Sequence, residues 1–166
     1  MKLTNPLLVN AAQQVMQRVP QQLQGALNNA VMAGNKIMYS DKTRHLMMSQ
    51  MKQNNGDVPT NIGEGIAKLV SILYADSKGK LPLRVLIPAG VVLVCQAIEF
   101  VNDAGGTDIT PDVLSKATME FSSSFLQLLG VTPDKLQQIL ANGAQGGAQP
   151  QAQQPAPNGG ASGNPQ

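Results

Sequence analysis

Residues 85–95 constrain the fold most: eleven consecutive positions between Arg84 and Gln96 carry no charge and no polar side chain. A helix at the surface of a globular protein needs a polar face for water, and this stretch has none to offer. Crossing a bilayer takes about twenty apolar residues, and Arg84, Gln96 and Glu99 bracket this run closely. The wider segment 81–101 therefore reads as a helix surrounded by other helices, starting near Pro82, kinked at Pro88 and ending at residues 102–106. A second reading stays open. Val85, Leu86, Ile87, Val91, Val92, Leu93 and Val94 would form a bilayer-insertion segment once a conformational change exposed them.

A helix buried on all sides needs partners, and amphipathic stretches supply them. Asn5-Pro6 joins a capping residue to a proline at the first helical position. Leu7, Leu8, Ala11, Ala12, Val15, Met16 and Val19 then recur with helical period until Pro20. The second stretch carries Leu23, Ala26, Leu27, Ala30, Val31, Gly34, Ile37 and Met38, and breaks at Ser40-Asp41. A short third follows with Leu46, Met47, Met48 and Met51. Residues 54–59 read as a loop. Thr60 or Asn61 then caps a fourth helix, with Asn61 and Glu64 at capping-box spacing and Ile62, Ile66, Leu69, Val70 and Leu73 as its stripe.

Two more starts share one triplet. Thr110-Pro111-Asp112 and Thr132-Pro133-Asp134 each give a cap oxygen, a proline and an acid in the first turn. The first helix carries Val113, Leu114, Ala117, Phe121, Phe125 and Leu128 up to Gly130, a C-terminal stop. The second is short, with Leu136, Ile139 and Leu140 before Asn142-Gly143. No β-branched alternation long enough for a strand occurs outside residues 91–94. The fold class is all-α: a bundle of six or seven short to medium helices over residues 1–142. Residues 143–166 are uncharged Gly, Pro, Gln, Ala and Asn with one Ser, too poor in apolar surface to offset ordering. They predict a disordered tail that serves as tether or spacer.

Chemistry finds few footholds. One histidine, His45, and one cysteine, Cys95, fall short of the four ligands of a structural zinc site. A lone cysteine also forms no intramolecular disulfide, and within the apolar run Cys95 reads as an inert, buried thiol. Five aromatic residues, all within helical patterns, make poor stacking platforms for single-stranded nucleic acid. Asp103 and Asp108 flank Gly105-Gly106 but lack calcium-loop spacing, and capping and loop solubility account for them better. Gly63-Glu64-Gly65 lacks the strand and lysine of a phosphate loop. Ser122, Ser123 and Ser124 have no neighbouring histidine to activate a hydroxyl. No catalytic, cofactor or metal residues emerge, and the expectation is a protein that is not an enzyme.

Charge and methionine are unevenly spread. Residues 1–52 hold six basic side chains and one acidic, a net of +5; residues 53–166 hold six and nine, a net of −3. The basic residues do not cluster in one motif, so any nucleic-acid contact would be non-specific, through the N-terminal third. The first residues have one lysine and then Asn5-Pro6, unlike a secretory signal. Met32, Met38, Met47, Met48 and Met51 share that basic region and suggest an adaptable protein-interaction face, or a core loosely filled with methionine. Ala26, Ala30 and Gly34 lie one turn apart, a line along which a neighbouring helix can pack closely.

Three stretches give the chain its overall character: NAAQQVMQRVPQQLQGALNNAVMAG, VLIPAGVVLVCQAIEFV and GAQGGAQPQAQQPAPNGG. In that character it resembles the small virion-associated proteins of tailed bacteriophages, including internal proteins ejected with the genome. The resemblance implies packaging in or on a capsid, release during infection and contact with the host envelope; it carries no residue-level function. The expected function is structural or assembly work through helix–helix contacts, as a homo-oligomer or in a larger particle. The alternatives are membrane insertion through residues 81–101, and a small chaperone or regulator that binds a partner helix in a methionine-lined groove. The expected location is the virion if the resemblance holds, and otherwise the cytoplasm.

Overall fold

The computed structural model describes residues 3–41, 43 and 57–131, and the structural statements below concern those residues. The chain divides into two units, 1–132 and 133–166, and every described residue belongs to the first. Among the described residues it contains five α-helices: α1 Pro6–Gln17, α2 Gln24–Met38, α3 Val58–Asp76, α4 Leu83–Asp103 and α5 Pro111–Leu128. A 3-10 turn, Gln21–Leu23, leads into α2. The all-α class is thus observed, without strands among the described residues. The expected short helix around Met47, the final one after Thr132 and the tail lie outside them.

Local signals account for several helix ends. Asn5 caps α1, its Oδ1 accepting from Leu7 N at 2.9 Å, with Pro6 next to it. Thr110 caps α5 in the same way, accepting from Val113 N at 3.3 Å. After α4 and α5 the chain turns at Gly105 (φ 74°) and Gly130 (φ 68°). In that left-handed conformation Gly106 N reaches Val101 O and Val131 N reaches Leu126 O, both at 2.9 Å, which satisfies carbonyls of the last turn.

The start of α3 corrects the sequence reading. The helix begins at Val58, two residues before the first proposed cap, so Val58 and Pro59 are helical and Asn61 with Glu64 forms no capping box. Pro59 sits in the first turn, where its missing N–H costs nothing. Asp57 at the N-cap position turns its carboxylate to Thr60 Oγ1 and to Lys116 Nζ (2.5 Å) rather than to the helix backbone. Pro88 lies inside α4, which continues through it as one helix; the proline leaves the carbonyl of Arg84 without its usual donor.

Helix α4 is the hub. It packs against α1, α2, α3 and α5, and 13 of its 21 residues are buried. Helix α1 lies antiparallel along it: Thr4 meets Glu99 at one end, and Met16 and Val19 join Val85 and Ala89 at the other. Helix α2 runs parallel to it, with Leu27 and Ala30 beside Val85 and Ala89, Gly34 against Leu93 and Tyr39 against Phe100. Helices α3 and α5 form the tightest pair and also run parallel, since Asp57 meets Lys116 and Gly63 meets Ala117 and Phe121.

Candidate functional site

Among the described residues, the close-packing line on α2 meets the proposed insertion segment on α4, while Met32 stands apart on the surface. Val85, Leu86, Leu93 and Val94 are fully buried, Val92 is buried, and Ile87 and Val91 are half-buried. The insertion segment thus faces the bundle interior. Ala30 and Gly34 are buried and Ala26 half-buried. A Cβ added at Gly34 would fall 2.5 Å from Leu93 Cδ1, so this line brings α2 close to α4. Met38 is 2% exposed and Met32 62%; six residues apart on α2, they point to different sides of the helix. Met47, Met48, Met51 and His45 lie outside the described residues. Among the described residues no three His, Cys, Asp or Glu side chains come together as a metal site.

The other polar candidates have structural partners or face water. Asp103 ends α4 and Asp108 is exposed, and neither caps a helix. The loop between them is held instead by Asn102 Nδ2, which donates to Thr107 O at 2.8 Å. Ser122 donates to Thr118 O (2.9 Å) and Ser124 to Glu120 Oε1 (2.8 Å), so both hydroxyls are occupied within their own helix. The Cys95 thiol is pushed up to about 12 by burial, with Glu99 adding to the shift. It stays protonated at neutral pH, hence a poor nucleophile.

Two features were not anticipated. The first is a groove of about 410 Å³ along the outer face of α5, where Met119 lies among Asp112, Ser115, Lys116, Glu120 and Ser123. These positions recur at three and four, so they share one side of the helix. Met119 is 70% exposed.

The second is Glu99, which the sequence reading placed among the polar residues bracketing the apolar run. Glu99 and Gln96 are both buried, at 2% and 6% exposure. Glu99 Oε1 accepts from Thr4 N (2.7 Å), Thr4 Oγ1 (2.7 Å) and Asn5 N (2.8 Å). The carboxylate therefore sits on the backbone N–H groups at the mouth of α1, where the helix dipole favours negative charge. Its Oε2 has no hydrogen-bond partner among the described residues, and neither do Gln96 Oε1 and Asn35 Oδ1. Gln96, Glu99 and Asp103 recur at three and four along α4, while Asn35 and Tyr39 lie one turn apart on neighbouring α2. The Tyr39 ring meets Phe100 edge-on at 5.8 Å. Its hydroxyl is pushed up to about 12 by burial and by the charges of Glu99 and Asp103.

Burial alone would raise the Glu99 carboxyl, but the three hydrogen bonds from Thr4 and Asn5 outweigh it and hold the group below the ordinary glutamate value. A carboxyl depressed in the folded state adds stability above its unfolded pKa, and that stability is lost as pH falls through the folded value. Acidification from neutral pH to pH 3 is accordingly expected to lower the melting temperature more in the native chain than in Glu99→Gln. Circular dichroism melts across that range check this; parallel pH profiles would remove Glu99 as the source.

No family model, curated protein or solved structure matches the chain.

Proposed function

We propose that this chain is a non-enzymatic structural or assembly protein working through helix–helix contacts, as a homo-oligomer or within a larger particle. The observation that carries this reading is the α5 groove with its exposed methionine, Met119. An unbranched thioether adapts to irregular apolar surfaces. Asp112, Lys116 and Glu120 beside it offer both signs of charge to the polar edge of a docking helix. Met32, 62% exposed on α2, offers a second adaptable contact. In its full form the proposal keeps the bundle at six or seven helices with a disordered tail. It makes the chain a phage virion component, delivered with the genome or guiding it, as the resemblance implies. Size-exclusion chromatography with light scattering over a concentration series tests it. The expected result is an assembly that Met119→Glu dissociates without changing the melting temperature. A strict monomer at every concentration would count against self-assembly through this groove.

One observation favours a second reading, membrane insertion. Although the uncharged run has only eleven residues, α4 has 21, and its most apolar 18-residue window has a mean hydropathy of 1.9. Of that window 72% is buried, so the bundle would have to open first. Flotation with anionic liposomes, with and without mild detergent, decides the point: a protein that never co-floats ends this reading.

A further inference from the structure

We propose that α1 is a strap that lifts from α4 as a unit, hinged at residues 18–20 and latched at its far end by Glu99. The body of the bundle does not depend on α1 in the way α1 depends on the body. Helices α3 and α5 pack against each other and against α4, whereas among the described residues the one helix with which α1 makes an extensive contact is α4. Helix α1 buries only Leu8 and Ala12, against eight buried residues in α3. Regions with few buried apolar contacts open first, below the cost of global unfolding.

The two ends of α1 are fastened differently. At the hinge, Gln24 Nε2 donates to both Met16 O and Val19 O at 2.8 Å, and Val19 is itself buried. These bonds join α1 to the start of α2 and do not involve α4, so they survive lifting. At the far end, polar attachment to α4 rests on the three donors that meet Glu99 Oε1. A hydrogen bond to a charged group is a strong one, and removing its charged partner strips all three donors at once. Opening exchanges those bonds for water and uncovers the side of α4 that α1 had covered. The carboxylate at position 99 thus governs exposure of the most apolar helix, whichever functional reading holds.

Native-state hydrogen exchange on the full chain tests this, read helix by helix. In the unaltered protein, α1 amides are expected to exchange faster than those of α3 and α5. In Glu99→Gln, which keeps an oxygen acceptor but loses the charge, α1 exchange should rise about ten- to hundredfold while α3 and α5 stay unchanged. Thr4→Val removes only the hydroxyl donor and should give a smaller rise confined to the same helix. Gln24→Ala, which loosens the hinge and leaves the latch, should raise exchange at residues 16–24 more than at residues 7–12. Equal protection of α1, α3 and α5, or an equal rise in all three in Glu99→Gln and Thr4→Val, would overturn the proposal, because α1 would then open only with the whole bundle.

Discussion

Phe121→Ala is expected to destabilise the protein by about 3–5 kcal/mol, the usual cost of emptying a buried aromatic site. The ring is 0% exposed and stacks on Phe125 at 5.7 Å with 11° between planes. It also fills the space left by a missing side chain on α4, since a Cβ built at Gly90 would lie 1.9 Å from Phe121 Cζ. Truncation therefore opens a hole among α3, α4 and α5 into which Gly90 has nothing to move. Urea unfolding should show a lower midpoint with an unchanged slope. The same geometry makes the effect of Gly90→Ala depend on its background. Alone it forces a methyl into the ring and should destabilise by about 1–3 kcal/mol; added to Phe121→Ala it should be neutral or restore some stability. Equal costs in the two backgrounds would show that the ring does not occupy the space over Gly90.

Gly63→Ala should also be strongly destabilising, for a reason side-chain repacking cannot relieve. The new methyl would lie 2.7 Å from Ala117 O, Glu120 Cβ and Phe121 N. Two of those atoms are backbone, so α5 as a whole must shift away from α3, and about 1–3 kcal/mol is the expected loss. Gly65→Ala on the same helix gives the contrast. No atom lies within 4 Å of a Cβ there, so only the chain-entropy and helix-propensity advantage of alanine remains, about 0.5–1 kcal/mol in favour of folding. Two Gly→Ala changes two residues apart should thus shift the urea midpoint in opposite directions. Shifts of the same sign would refute the close α3–α5 contact.

The parts of this architecture legible in the sequence were those encoded locally. Asn5-Pro6 and Thr110-Pro111-Asp112 marked true helix starts because capping uses atoms within three residues of one another. The uncharged run marked α4 as interior because a helix without a polar face must be covered. Pro59 carried the same first-turn signal as Pro6 and Pro111, yet the loop-like composition of residues 54–58 masked it and displaced the start of α3. Glu99 could not be read at all. A glutamate at the end of an apolar run looks like a boundary, and the donors that make its burial tolerable come from residues 94 and 95 positions away. The α5 groove escaped for a related reason: Met119 stood apart from the methionine-rich segment, and its exposure depends on which side of α5 faces α3 and α4.

The pairing of α1 with α4 also bears on the order of events at the ribosome. Thr4 leaves the exit tunnel long before Glu99, its partner 95 residues later. At elongation rates of about 5–20 residues per second, the delay is about 5–19 s. For most of that interval α1 has a finished amphipathic face and no completed α4 to receive it. Twelve residues are marginal as an isolated helix in water, so α1 spends the wait fraying or leaning on α2, the neighbour already made. Helix α1 is therefore finished long before its seat on α4 exists, and it docks only once residue 99 has been made.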